Sequence, residues 1–348
     1  MTPAPGGASR DSPVTFAGKA VLVTGGAGFI GAALVRRLLE AGSRVRILDD
    51  LSRGTAARLA DLEGRIEFVG ADVRDAAAVR RAVKGMDAVC HLAAVNGTEF
   101  FYSRPDLVLE VGVKGLVNVL DACQQEGVGE LAVASSSEVY QTPPAVPTDE
   151  AVPLSLPDPW NPRYSYAASK MISEMMAIHW GGRHLRRVVV FRPHNVYGPD
   201  MGWEHVIPQF LVRMHVLNDS VRQGRIRFPI QGSGRETRAF VHIDDFMDGL
   251  MIVLDHGEHR GLYNIGTMEE VSIAHLAGLV AKALGRDIEV VPGDPAPGGT
   301  LRRCPDIARL AALGYRPVRD LSAGLAETAR WYAANMHLAP ARLRGSAS

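Results

Sequence analysis

The sequence predicts an α/β protein: a doubly wound parallel sheet followed by a smaller mixed α/β lobe toward the C-terminus. Three observations carry that expectation. Short continuous apolar runs (KAVLVT, SRVRILD, IEFVGAD, MDAVCHLAA, ELAVASSS and RRVVVFRP) recur between residues 19 and 193. Amphipathic helical segments separate most of them, the pattern of βαβ units whose parallel strands are buried on both faces. After Pro199 the texture changes, because GWEHVIPQFLVRMHVL, RIRFPIQGSG, FVHIDDFMDGLMIVLDH, LYNIG, VSIAHLAGLVAKALG and IEVVPG mix strands and helices without that alternation.

In chain order, MTPAPGGASRDSPVTF is rich in Pro, Gly and Ser and lacks the apolar centre of a secretory signal, so residues 1–17 read as a flexible tail. Residues 18–199 read as the first domain and 200–335 as the second lobe, with the chain crossing between them more than once and 336–348 as a second tail. The Pro-rich stretch 143–162 cannot be a regular helix and reads as a surface crossing ahead of a helix near Tyr164. A length of 348 residues suits one large α/β unit or two lobes sharing a cleft. Hydrophobic residues at 47% and charged residues at 22% exclude disorder and coiled coil. The 38 Lys and Arg balance 38 Asp and Glu, so no overall field draws the chain to nucleic acid or an anionic membrane. No run approaches the roughly 18 apolar residues that would span a bilayer. Cys90, Cys123 and Cys304 have no CxxC spacing, which indicates neither a disulfide framework nor a zinc site and fits the cytoplasm.

The first apolar run leads straight into Gly25-Gly26-Ala27-Gly28-Phe29-Ile30-Gly31 and a helix. Glycines at 25, 28 and 31 permit a tight turn, close backbone approach to a pyrophosphate and close packing of helix on strand. Asp49 closes the next strand about 20 residues on, where a ribose-binding acid belongs in a dinucleotide site. Asp49 and Asp50 would repel a 2′-phosphate, which favours NAD over NADP, with Arg53 as the one opposing charge. Asp72 and Val73 follow the third run, either beside an adenine or as the cap region of the next helix.

Tyr166 and Lys170 are four apart and share a helix face. An ammonium beside a phenol favours phenolate, so the pair is expected to form a base near neutral pH. Ser135-Ser136-Ser137-Glu138 follows the fifth run, at the carboxyl end of a central strand where such sheets bind ligands. A hydroxyl there can share a proton with Tyr166, and Glu138 can remove the acidic proton beside a sugar carbonyl. The eleven histidines show no metal-binding spacing; His242 with Asp244 and Asp245 reads as one strand-to-helix turn.

TGGAGFIG at 24–31, LDD at 48–50, HLAA at 91–94, SSSEVY at 135–140, the Tyr166/Lys170 pair, RPHNVYGP at 192–199 and TRAFVHIDD at 237–245 resemble the extended short-chain dehydrogenase/reductases that act on nucleotide sugars. The resemblance implies a Rossmann domain holding NAD, with Leu92, Ala93 and Ala94 among its cofactor contacts, and a C-terminal lobe gripping a nucleoside diphosphate. It implies that Tyr166 removes the sugar 4-OH proton while hydride leaves C4 and that Lys170 lowers the Tyr166 pKa and holds the nicotinamide ribose. It places Ser136 on the 4-oxygen, and Asn195 and Arg238 on the diphosphate or nucleoside. His194, Arg302 and Arg303 read either as sugar or phosphate contacts or as solvated surface. The resemblance also implies a homodimer in which the helical stretches Pro105–Glu126 and Ser165–Trp180 form a four-helix bundle; covering the sheet is the other use of those helices.

Within that family the expected reaction is an NAD-dependent epimerisation of a UDP- or GDP-sugar through a transient 4-keto sugar. Glu138 resembles the base of members that abstract a C5 proton. The 4,6-dehydratases of deoxythymidine sugars usually carry Asp where Ser137 stands, although GDP-mannose dehydratases resemble the Ser-Glu form. RRCPDI at 302–307 and TRAF at 237–240 resemble UDP-glucuronate decarboxylases, which often carry Arg where Asp200 stands. Trp203 after the YGP turn is similar to GDP-mannose 3,5-epimerases, which have Cys at the position of Glu138 and a Lys near that of His205. Retention of Tyr166, Lys170 and the serine run argues against a cofactor-binding scaffold without chemistry.

Overall fold

The computed structural model describes residues 16–220, 224–294 and 299–344. Its centre is a parallel sheet built from β1 (Ala20–Thr24), β2 (Arg44–Asp49), β3 (Ile66–Gly70), β4 (Ala88–His91), β5 (Glu130–Ala134), β6 (Arg187–Pro193) and an edge strand, Gly261–Ile265. The spatial order runs from Gly261–Ile265 through β6, β5, β4, β1 and β2 to β3. The order reverses between β1 and β4, the switch point where an open α/β sheet leaves a crevice beyond its carboxyl ends.

The central apolar runs form strands because both faces are covered, whereas β3, at the sheet edge, is half-exposed with Phe68 open to solvent. Along β1, Val21 and Val23 join one buried cluster while Ala20 and Leu22 join the other. Val21, Leu22 and Val23 each contribute about 1.5–3 kcal/mol on full burial. Helices α1 (Phe29–Glu40), α2 (Ala76–Val83), α3 (Thr98–Ser103), α4 (Pro105–Leu109), α5 (Gly115–Glu126) and α6 (Ser165–Met175) follow. A π-helical stretch, Glu110–Lys114, joins α4 to α5. A Cβ at Gly112 in that stretch would lie 2.8 Å from Ser169 Cβ, so glycine is what lets it press against α6.

Beyond residue 199 a third buried cluster, including Ile207, Phe210, Met214, Phe228, Leu276, Val280 and Tyr332, forms the core of the second lobe. The chain returns to the first lobe with helix Ile243–His256, whose Phe246, Leu250 and Val253 join the sheet's core, and with the edge strand that follows. Short strands Thr237–Ala239, Glu270–Ser272 and Arg302–Arg303 make a small mixed sheet.

Packed structure reaches into both stretches expected to be tails. Phe16, inside the expected N-terminal tail, is 1% exposed; its N–H donates to Asp255 and its carbonyl accepts from Ser43 Oγ. Residues 336–344 form a 3₁₀ turn and a short helix with Ala339 buried between them, because an apolar residue there meets the second lobe. Residues 1–15 and 345–348 lie outside the described residues. No helix among the described residues is long and apolar enough to cross a membrane.

Candidate active site

Three adjoining hollows run along the carboxyl ends of the central strands. The first, about 120 Å³, is walled by Gly25, Gly28, Asp49, Asp50, Asp72, Val73 and Leu92, Ala93 and Ala94. Gly25 adopts φ +73°, which glycine takes without strain. A Cβ at Gly31 would lie 2.1 Å from Gly25 O, so α1 reaches the strand only because that residue is glycine. Gly28 caps α1 without a side chain and no acid occupies the first turn, which leaves the helix N-terminus suited to an anion.

Asp49 braces this turn: its Oδ2 accepts from Ala27 N at 2.9 Å and its Oδ1 from Leu51 N at 2.8 Å. Burial raises its carboxyl above the ordinary value, and those two donors partly oppose the rise. Asp50 accepts from Ser52 N and Oγ at 2.9 and 2.6 Å. Asp72 forms part of the pocket wall, pairs with the Arg74 side chain and accepts from Arg74 N at 2.8 Å, while Asp75 caps α2, so Asp72 has both the place of a pocket residue and that of the turn before the helix. Arg53 lies 4.6 Å over the Phe100 ring and borders both this hollow and the largest one. A sterically required glycine turn, an uncapped helix N-terminus and an acidic wall fit a dinucleotide without a 2′-phosphate.

The second hollow, about 360 Å³, brings together Gly28, Phe29, Ile30, Gly31, Ser136, Ser137, Glu138, Tyr166, Lys170 and Asn195. Tyr166 and Lys170 are both buried on α6. The Lys170 ammonium donates to Ala134 O at 2.7 Å and sits 5.7 Å from the centre of the Tyr166 ring. Phe101, which sequence reasoning missed, stacks on that ring at 5.1 Å. Burial pushes Lys170 down to about 8, countered by Glu174.

The expected lowering of Tyr166 meets a different balance here. Burial pushes the phenol well above its ordinary value and the Glu138 charge adds to the rise, while the Ser136 hydroxyl pulls it down. The Lys170 ammonium is already engaged by the Ala134 carbonyl.

Ser136 caps a 3₁₀ turn, Ser137–Tyr140, and its Oγ accepts from Glu138 N at 3.1 Å. Ser137 is buried. Glu138 Oε1 accepts from Arg303 Nη1 at 2.6 Å. Burial alone would raise the Glu138 carboxyl; the Arg303 charge and hydrogen bond, with Arg163 and Arg238 behind them, bring it below the ordinary value.

The third hollow, about 890 Å³, shares Glu138, Asn195 and Arg303 with the second and adds Arg238 and Arg163. Asn195, at φ +40°, donates to Ala239 O at 3.0 Å. Arg238 donates to Thr237 O and Thr300 O at 2.7 and 2.8 Å, and burial, with Arg303 nearby, lowers it to about 10. Arg163, absent from the sequence-based candidates, has a buried Nε without a hydrogen-bond partner. Its position three residues ahead of Tyr166, one helical turn away, is the signal that could have found it.

Two candidates fall outside these hollows. His194 is 1% exposed, with Nε2 3.0 Å from Asn264 Oδ1, and burial lowers it to about 3. Arg302 instead makes a two-pronged ion pair with Glu270, at 3.0 and 2.7 Å. Neighbouring strand residues face opposite ways, so only Arg303 of that pair reaches the cleft. Among the described residues no group of three or more His, Cys, Asp or Glu side chains is arranged to hold a metal ion.

The profile of the NAD dependent epimerase/dehydratase family matches residues 21–266. The chain belongs to that family. It is 34% identical over 330 residues to a dTDP-4-dehydro-6-deoxy-D-allose reductase from a Streptomyces species, covering 91% of this chain and 97% of that one. It is 33% identical to a UDP-glucose 4-epimerase from Mycolicibacterium smegmatis, covering 89% and 97%. A dTDP-glucose 4,6-dehydratase from Streptomyces venezuelae, solved with NAD bound, superposes with a TM-score of 0.80 at 33% identity, covering 92% and 98%. NAD is thus the cofactor of this epimerase/dehydratase family member, and the first two hollows are where its residues suit that cofactor.

Proposed function

We propose that this family member is an NAD-dependent epimerase of a nucleoside-diphosphate sugar, inverting C4, or C5 or C3, through a transient 4-keto sugar. The observation that carries this reading is Glu138, kept ionised by Arg303 where the two larger hollows meet, with no acid at the neighbouring Ser137. NAD, when bound, supplies a hydride acceptor and a positive charge, which favours a nearby phenolate. Tyr166 Oη exchanges a proton with the sugar 4-oxygen, and Ser136 Oγ hydrogen-bonds that oxygen. A ketone at C4 acidifies the hydrogens on C3 and C5, and the Glu138 carboxylate takes one of them. Arg238 and Asn195 hold the diphosphate or nucleoside, and Arg163 adds a third guanidinium beside Glu138. The roughly 360 Å³ hollow that holds Tyr166 and Ser136 opens onto the roughly 890 Å³ one at Glu138, Asn195 and Arg303, which leaves a ketose room to turn over, all that inversion at C4 requires.

Dehydration is the second reading, favoured by identity to dTDP-glucose 4,6-dehydratases. It needs an acid for the departing 6-hydroxyl, and a serine hydroxyl at position 137 is a poor one. Incubation with NAD and UDP-, GDP- and dTDP-hexoses in deuterated water separates the outcomes. A C5 or C3 epimer carrying solvent deuterium is expected; a C4 epimer without deuterium would remove Glu138 from the mechanism. A stable 4-keto-6-deoxy sugar would make the protein a dehydratase, and carbon dioxide from UDP-glucuronate a decarboxylase.

The same reading takes the protein as a homodimer. Leu109 on α4 and Ile172 and Met175 on α6 are exposed at 38%, 42% and 59%, as two helices of a four-helix interface would leave them in one chain. Light scattering should give the mass of two chains; that of one chain would remove the dimer.

A further inference from the structure

Behind Tyr166 and Lys170, the same face of α6 continues one turn further to Glu174, which is 3% exposed. Its carboxylate is held by three donors: Arg192 Nε at 2.7 Å, Arg192 Nη2 at 2.6 Å and Ser135 Oγ at 2.5 Å. Arg192, on β6 and 2% exposed, uses its remaining arm to reach Tyr140 Oη at 2.6 Å, and its guanidinium lies 4.6 Å over the same ring. Ser135 and Tyr140 are the two ends of the segment that carries Ser136, Ser137 and Glu138. One buried ion pair therefore touches both ends of that segment and sits on the helix that bears Tyr166 and Lys170.

The connection extends into the second lobe. Tyr140 Oη donates to Asn264 Oδ1 at 2.8 Å, and Asn264 Nδ2 donates to Thr148 O and Asp306 O at 3.0 and 3.1 Å. Asp306 lies three residues beyond Arg303, the partner of Glu138. His194, off the hollows, finds its place here against Asn264.

We propose that the Glu174–Arg192 ion pair is the positioning pair of this site, setting the distance between the Ser136–Glu138 segment and the Tyr166/Lys170 helix face. The inference rests on the reading of those residues as the reacting groups, but its geometric part does not. An ion pair buried to this degree is a poor device for stability alone, since apolar residues of similar volume often serve as well or better. What apolar residues cannot do is bind three separate elements in directed hydrogen bonds. Glu174 also supplies the negative charge that counters burial at Lys170.

The test compares three variants by hydrogen exchange and by steady-state kinetics on whichever nucleotide sugar the protein converts. In the double variant Glu174→Leu/Arg192→Met neither member of the pair is left as a lone charge and only Lys170 loses a counter-charge, so the midpoint of unfolding is expected to fall less than in Glu174→Gln. Exchange should nevertheless rise in a peptide covering 135–141 and not in one covering 20–31, while kcat falls roughly 10²-fold, the loss that a misplacement of about an ångström brings, with KM little changed. Glu174→Gln should show the same kinetic split with a lower midpoint, because Arg192 loses its partner. Tyr140→Phe keeps the ring under Arg192 and removes only the hydroxyl, so it should fold and shift exchange and kcat in the same direction by less. A double variant with parental stability, exchange and kcat would make the pair merely structural and overturn the proposal. Should the double variant not fold, Tyr140→Phe with unchanged exchange and kcat would overturn it equally. Raised exchange confined to 135–141 in a protein that converts no nucleotide sugar would uphold the positioning and sink the catalytic reading instead.

Discussion

Tyr166→Phe is expected to lower kcat by about 10²–10⁴-fold, the usual worth of a positioned general acid or base, with little change in NAD affinity or in the KM for the sugar. The expectation is sharp because the substitution removes one oxygen. The ring would still stack on Phe101 at 5.1 Å, so the packing of α3 against α6 survives. The phenol is buried and shifted upward, and the Ser136 hydroxyl pulls it back toward its ordinary value, so the lost oxygen takes that pairing with it. Steady-state kinetics on the nucleotide sugar, with NAD binding followed by thermal shift, measures both halves. A Phe variant with parental kcat would remove Tyr166 from the chemistry.

Removing Arg303 should change both stability and pH dependence. In Arg303→Met the Glu138 carboxylate, 24% exposed, loses its 2.6 Å partner. Leaving a charged group of this kind unpaired costs about 1–3 kcal/mol, readable as a lower denaturant midpoint at pH 7. The sign follows from the native shift. Glu138 sits below its ordinary value, so its contribution to stability is present above the unfolded-state pKa, about 4.3, and is lost as pH falls through the lower folded value. Without Arg303, burial prevails and the folded value rises. The stability penalty then appears above the unfolded pKa, and the acid limb of kcat/KM moves to higher pH. An unmoved acid limb would mean that Glu138 does not titrate in the reaction.

Local sequence made the cofactor end of the site legible because its demands are local. Gly25, Gly28 and Gly31 are required by contacts within one strand–turn–helix unit, and Asp49 reaches back to Ala27 from the adjacent strand. Tyr166 and Lys170 share a face by helical spacing alone. Glu138 was visible as a carboxylate at a strand end, but its ionisation was not, since Arg303 lies 165 residues away in the chain. The same distance hid which member of the Arg302/Arg303 pair turns inward and why His194 turns away. Phe16 was misread because tail-like composition says nothing about one aromatic finding a space beside the sheet.

The alternation of apolar runs and helices, the glycine turn and the order of motifs determined by themselves a parallel α/β sheet, NAD as the cofactor and membership in the epimerase/dehydratase family. These depend on periodicity and on contacts between near neighbours, which a sequence records directly. Only the tertiary structure decided the electrostatic setting of the candidate reacting groups: Tyr166 raised by burial, Lys170 lowered to about 8, Glu138 held below its ordinary value by an arginine from the other lobe. Desolvation and Coulomb attraction act through space between side chains that the fold alone brings together.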